Sequence, residues 1–200
     1  MKNLCRLFLL VLGMGVCVSC TSVSDDVVDA RLKSGNLGAD KSDDIKMVTV
    51  PFIVDYVGTY VYGPFGIPTD KCDINVFVDG VGTGTHVGQS MVHFDFCVTP
   101  YFTPEGQLDH GDYGDAYAYI VAANGDTLFV TLSGTVFPGR LEDHPDYVVS
   151  YWRDPFEIIG GTGRFEDASG GGMTNDYNSS EDSNSHHHWE GTITLKKGKR

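Results

Sequence analysis

The sequence predicts an all-β protein built as a single eight-stranded antiparallel up-and-down β-barrel. Three observations carry that prediction. Apolar residues alternate with polar ones in run after run, with a period of two. The 25 glycines against 8 prolines in 200 residues supply turns rather than helix starts. No stretch after the first twenty residues holds a helical period. With 41% hydrophobic and 12% aromatic residues the chain can bury one core, and its length fits one domain plus an extension.

The first element is an address. Met1 to Arg6 carries two positive charges and Leu7 to Val16 is an apolar run, too short for the roughly 20 residues that span a bilayer but long enough for a signal peptide. The run ends at Cys17-Val18-Ser19-Cys20, with a small residue directly before a cysteine. This resembles the lipobox of bacterial lipoproteins, although Cys17 stands where that motif usually has leucine. The resemblance implies cleavage after residue 19 and acylation, palmitate included, at Cys20. It also implies a lipid anchor in the outer membrane or at the cell surface. Residues 20–45 follow as an acidic tether containing Asp25, Asp26, Asp29, Asp40, Asp43 and Asp44. The barrel domain is expected over 46–200.

In the body, Val48, Val50, Phe52, Val54, Tyr56, Tyr60 and Tyr62 share one parity and predict a long first strand. Ile74, Val76 and Val78 predict the second, and Val92, Phe94, Phe96 and Val98 the third, joined by the glycine-rich segment 80–88. Asn124-Gly125 between alternating runs predicts a hairpin with a two-residue turn. That register sets Tyr117 against Leu132, Tyr119 against Val130 and Val121 against Leu128, all facing inward. Further strands are expected over 147–159, about 169–178 and 187–195. Eight strands with one apolar face each close into a barrel without exposed edges; a sandwich is the alternative. Charged outward positions argue against a membrane-spanning barrel.

Ile158-Ile159-Gly160-Gly161-Thr162-Gly163-Arg164-Phe165-Glu166-Asp167-Ala168-Ser169-Gly170 looks like the strand-turn-strand signature of the barrel superfamily that includes dirigent proteins and allene oxide cyclases. The resemblance implies a calycin-like barrel over about residues 46–198, with Phe165 plugging one end, and barrels of this kind often form trimers, so a homo-oligomer is an open expectation. The motif spans only thirteen residues. The motif does not place the catalytic residues of those families on this chain, so their activities are not implied. A lipocalin is the neighbouring architecture, without its Gly-x-Trp start. Gly161-Thr162-Gly163 lacks the third glycine of a dinucleotide fingerprint and precedes no helix, so no cofactor is expected.

Candidate chemistry is sparse. There is no Gly-x-Ser-x-Gly elbow and no catalytic residue is assigned. A net charge of -13 makes nucleic acid a poor partner. Cys72 and Cys97 are an exported pair, but their parities differ, inward for Cys72 and outward for Cys97, so the disulfide is left open. On the last strand Trp189, Ile193 and Leu195 point inward with His187, while His186, His188 and Glu190 share the outer face as a weak metal candidate; a solvated, acidic strand entry is the preferred reading, because three ligands on one flat face rarely complete a tetrahedron. The expected partners are the membrane, through the anchor, and a small hydrophobic or glycan-like ligand held by Tyr117, Tyr119, Tyr56, Tyr60 and Trp189. The leading expectation is therefore a binding module. A filled structural or interaction barrel, and a cyclase-like or isomerase-like enzyme on the same scaffold, are the rivals.

Overall fold

The computed structural model describes residues 46–70 and 72–198. The signal segment, Cys20 and the tether lie outside the described residues. The described chain is β-structure with one short 3₁₀ turn, Gly163–Phe165. Its strands are β1 (Met47–Tyr60), β2 (Ile67–Thr69), β3 (Cys72–Gly84), β4 (Gly88–Phe102), β5 (Leu108–Val121) and β6 (Thr127–Pro138), then β7 (Val148–Trp152), β8 (Pro155–Gly161), β9 (Ser169–Thr174), β10 (Asp176–Ser179) and β11 (Asn184–Lys196).

Eight of these close a ring in the order β1, β3, β4, β5, β6, β8, β9, β11 and back to β1, all antiparallel. The expected strand over 147–159 is β7 and β8, interrupted at Arg153-Asp154, and the one over 169–178 is β9 and β10, interrupted at Asn175. Beyond these breaks β7 and β10 take the place of β8 and β9 between β6 and β11 and form a two-stranded flap in the barrel wall, pairing Phe137 with Tyr151, Tyr151 with Tyr177, and Tyr177 with His186. The end of the barrel carrying this flap is called the lower end below.

The inward residues fill the ring. Phe156 stacks on Trp189 with centroids 5.2 Å apart, Phe94 stacks on His187 at 4.7 Å, and Phe52 meets Phe156 at 6.0 Å. Offset and tilted pairs at these separations are the favourable aromatic geometries. Phe165, on the 3₁₀ turn, is fully buried and plugs the upper end as its position in the glycine-rich motif suggests. Gly58 faces inward because a Cβ there would lie 2.5 Å from Val78 and 2.6 Å from the Ser185 hydroxyl.

Two expectations are corrected and one open question is answered. The β5–β6 loop has three residues rather than two. Ala122 and Asp126 close it, Gly125 N–H donates to Ala122 O at 2.9 Å, and Gly125 takes the left-handed φ of 87° that glycine tolerates. The register therefore pairs Tyr117 with Thr131, Tyr119 with Phe129 and Val121 with Thr127. Tyr117 and Tyr119, at 59% and 43% exposed, stand on the outer wall, and Ala118 and Ile120 fill the interior instead. A bulge between Tyr113 and Ala116 reverses parity within β5, so Tyr113 also points in. Second, β1 ends at Tyr60 and Tyr62 lies beyond it, 57% exposed. Third, Cys72 and Cys97 form a disulfide with Cα atoms 5.6 Å apart. The parity objection fails because Cys72 lies outside the regular β3–β4 register, which runs from Ile74 to Gly84, and pairs with Thr69 of β2 where the chain turns back.

Candidate functional site

Two polar assemblies stand out, one inside the lower half of the barrel and one on its outer wall. The inner one is built by inward positions of β10 and β11. Asp176, 2% exposed, accepts from His187 Nδ1–H at 2.9 Å, from Trp189 Nε1–H at 3.1 Å and from the His188 backbone N–H at 3.0 Å. On the far side of the imidazole, His187 Nε2 lies 2.8 Å from the Ser185 hydroxyl. The order Asp, His, Ser imitates a nucleophile triad, yet Ser185 has no exposed surface and its hydroxyl also reaches Gly58 O at 3.4 Å. No substrate reaches it, and the arrangement acts as an internal brace.

Nearer the mouth, Tyr60 O–H donates to Asn178 Oδ1 at 2.7 Å and Asn178 Nδ2 donates to Ser150 Oγ at 2.8 Å. Asp154, at the β7–β8 break, accepts from Tyr113 O–H at 2.8 Å and from Thr135 N–H at 3.2 Å, while its own N–H donates to Thr174 Oγ1 at 2.9 Å. Burial is the main reason its carboxyl is held above the usual range, against the two donors that favour ionisation. Burial first, and then the charge of Asp154, push the Tyr113 phenol well above its ordinary value. Among the described residues no buried side-chain N or O lacks a partner, so this interior is closed chemically as well as sterically.

The outer assembly is open. A depression of about 290 Å³ lies over β10, β11, β1 and β3. The register places His186 opposite Val57 and Val57 opposite Val81, which form its floor. Tyr177 stacks on His186 with centroids 4.7 Å apart and planes 7° from parallel. Along its rim Asp55 holds His188 Nδ1 at 2.6 Å, and Glu190 holds His188 Nε2 at 3.0 Å. The hydrogen bond to Asp55 is the largest cause raising the His188 pKa above 6.5; partial burial opposes it and Glu190 reinforces it. The protonated ring then donates from both nitrogens.

Tyr56, Tyr60 and Trp189 therefore face the lumen together as expected. Tyr56 O–H pairs with Ser90 Oγ at 2.8 Å, and Trp189 is fully buried. Tyr117 and Tyr119 are separated from them by the barrel wall, Tyr119 stacking on His93 at 4.9 Å. His186, His188 and Glu190 share the outer face, but His186 turns to Asp182 at 3.2 Å and His188 to Asp55; among the described residues no three His, Cys, Asp or Glu side chains converge as a metal site. Sequence reasoning missed Asp176, Asp154, Tyr113 and Tyr177. Alternation pointed the wrong way for Asp176: the apolar residues of its segment, Met173 and Tyr177, have the opposite parity, yet Met173 is 51% exposed and Asp176 is buried.

The molecule is thus an eight-stranded barrel with a filled, internally bonded lumen and an aromatic, hydrogen-bonding depression on its wall. No protein-family model matches the chain and no curated protein matches it. Solved structures with some similarity include the pterocarpan synthase dirigent protein GePTS1, at TM-score 0.33 and 12% identity over 78% of this chain and 90% of that one. The pterocarpan synthase dirigent protein PsPTS1 is similar at TM-score 0.28 and 12% identity, over 76% of this chain and 97% of that one.

Proposed function

We propose that the protein is a lipid-anchored binding module of the bacterial envelope, tethered through Cys20, which holds a small glycan-like ligand on its outer wall. The depression of about 290 Å³ carries this reading. It combines an apolar floor at Val57 and Val81 with the Tyr177–His186 stack and with the charged acceptors and donors of Asp55 and His188. A pyranose has matching chemistry, C–H groups on its faces and hydroxyls around its edge, and convergent polar groups on an apolar surface are the usual form of a small-ligand site. The filled lumen directs attention outward: Phe52, Trp189 and Phe165 leave no exposed surface of their own. A structural or interaction lipoprotein is the second reading, favoured by the same solid core.

The test is NMR titration of the soluble barrel with glucose, galactose and N-acetylglucosamine, observing the histidine rings. Shifts confined to His186 and His188, weakened about tenfold by Asp55→Asn or Tyr177→Ala and unaffected by Tyr119→Ala, are expected. Shifts at none of the histidines with any of the three sugars would remove the reading. Anchoring has its own measurement: Cys20→Ala moves the protein from the membrane fraction to the soluble one, and unchanged partitioning rejects it.

A further inference from the structure

This inference rests on the glycan reading and names the ligand class more closely. On the same wall lies a second depression, about 220 Å³, lined by Val81, Gln89, Ser90, Met91, Val121 and Ala122. The two depressions share Val81. The register shows how they connect. Outward residues pair across neighbouring strands as His186 with Val57, Val57 with Val81, Val81 with Met91 and Met91 with Val121. These five side chains form one row at right angles to the strands, about 19 Å long at roughly 4.8 Å per strand step. Its middle is uncovered, with Val57 42%, Val81 64% and Met91 57% exposed.

From β11 to β4 the rows on either side are polar. One runs His188, Asp55, Thr83, Gln89, and the other Asn184, Thr59, Asp79, His93, before the latter reaches Tyr119 on β5. Over these four strands the apolar stripe is therefore a single side chain wide, and it broadens at β5, where Tyr119 stands beside Val121. A packed protein surface or a second copy needs a broader apolar face than this, whereas one extended hydrocarbon chain needs no more. The stripe also has a direction. It starts at the charged and aromatic end beside Tyr177 and His188 and finishes at Val121 and Ala122. There Gln89 is the free hydrogen-bonding side chain of the second depression, since Ser90 Oγ is bonded to Tyr56 inside the wall. A longer glycan would find few partners for its hydroxyls at that end. Met91 supplies an adaptable thioether contact.

We propose that the ligand is a glycolipid-like amphiphile, its sugar head seated against Tyr177, His186 and His188 and its unbranched apolar chain laid across Val57, Val81 and Met91.

Calorimetry with glucose and with hexyl, octyl and decyl glucosides, below their micelle-forming concentrations, tests this. Affinity should rise about fourfold for every two methylenes, the share that half-burial on an open stripe allows. Met91→Gln combined with Val121→Thr should flatten that slope and leave glucose affinity unchanged; neither residue lines the first depression, and circular dichroism verifies the fold. Glucose binding with no dependence on chain length overturns the amphiphile while the glycan reading stands. A slope that survives the double substitution overturns the assignment of the chain to this stripe. A slope in the wild type with no glucose binding, unchanged by Tyr177→Ala, overturns the glycan reading instead.

Discussion

Asp176 satisfies three N–H donors with one carboxylate, at 2.9, 3.1 and 3.0 Å, in a place water does not reach. Removing it strands the donors, and an unsatisfied buried donor costs about 1–3 kcal/mol. Asp176→Ala should therefore lower stability by about 3 kcal/mol or more in urea unfolding. Asp176→Asn, which keeps an amide oxygen, should cost about half as much. Equal losses would show that packing matters here more than the acceptor. Asp154 behaves oppositely because burial raises its pKa above 3.8. Its contribution is fully present below pH 3.8 and is lost as pH rises through the folded value. Asp154→Asn keeps an oxygen for Tyr113 and Thr135, and should stabilise the protein slightly at pH 8, an effect reduced by solvent screening at this half-open site, while changing little at pH 3. His188 follows the same sign from a higher starting point, since its pKa is raised above 6.5. The stability it adds is complete below pH 6.5 and fades as pH climbs through the folded value. The side chain is 38% exposed, so the effect is small and weakened by salt. A thermal-unfolding series from pH 6 to 9 should show it in wild type and largely lose it in Asp55→Asn.

At the scale of elements the β5–β6 hairpin decides which side chains meet water. Nitration of the folded protein should modify Tyr117 and Tyr119 quickly and spare Tyr56, which is 3% exposed, and Tyr113, at 7%. The reverse pattern would mean that the hairpin follows a two-residue turn after all. That hairpin also shows where sequence reading stops. Alternation alone placed β1, β3 and β4 correctly, because Phe52, Val76 and Phe94 lie on strands with an uninterrupted period. It could not choose between two-residue and three-residue loops, both of which accommodate Asn124-Gly125, and one residue of slip turns a strand inside out. The bulge before Ala116 leaves no periodic trace either. His187 was legible as an inward residue from Trp189 on the same strand. Its partner Asp176 was not, since the two meet only after the β10–β11 turn brings them together. The disulfide was hidden for a similar reason, Cys72 being a strand-end residue whose direction parity does not set.

For the molecule as a whole, closure matters at the top as well as around the ring. Phe165 is fully buried, although it belongs to a three-residue turn rather than to a strand. Phe165→Ala should cost about 3–5 kcal/mol, as large aromatic truncations in cores do. Calorimetric unfolding would measure it. A loss below about 1 kcal/mol would show that the turn sits over the barrel without sealing it. The acidity acts at this scale too: a net charge of -13 sets up long-range repulsion between copies and toward polyanions.

The ring is sealed by β1 against β11, a register running from Met47 opposite Lys196 to Thr59 opposite Asn184. The earliest and latest strands of the described chain are thus each other's neighbours. Such a seam makes folding a matter of timing. Until the final strand is present, β1 exposes one unpaired backbone edge together with the apolar side of Phe52, Val54 and Tyr56. Closing a loop of this length is entropically costly, and topologies dominated by distant pairings fold over milliseconds to seconds. A chain that cannot complete itself early stays unfolded while it is being made. The anchor proposed at Cys20 requires export, and on that proposal the delay lets transport finish before the barrel locks.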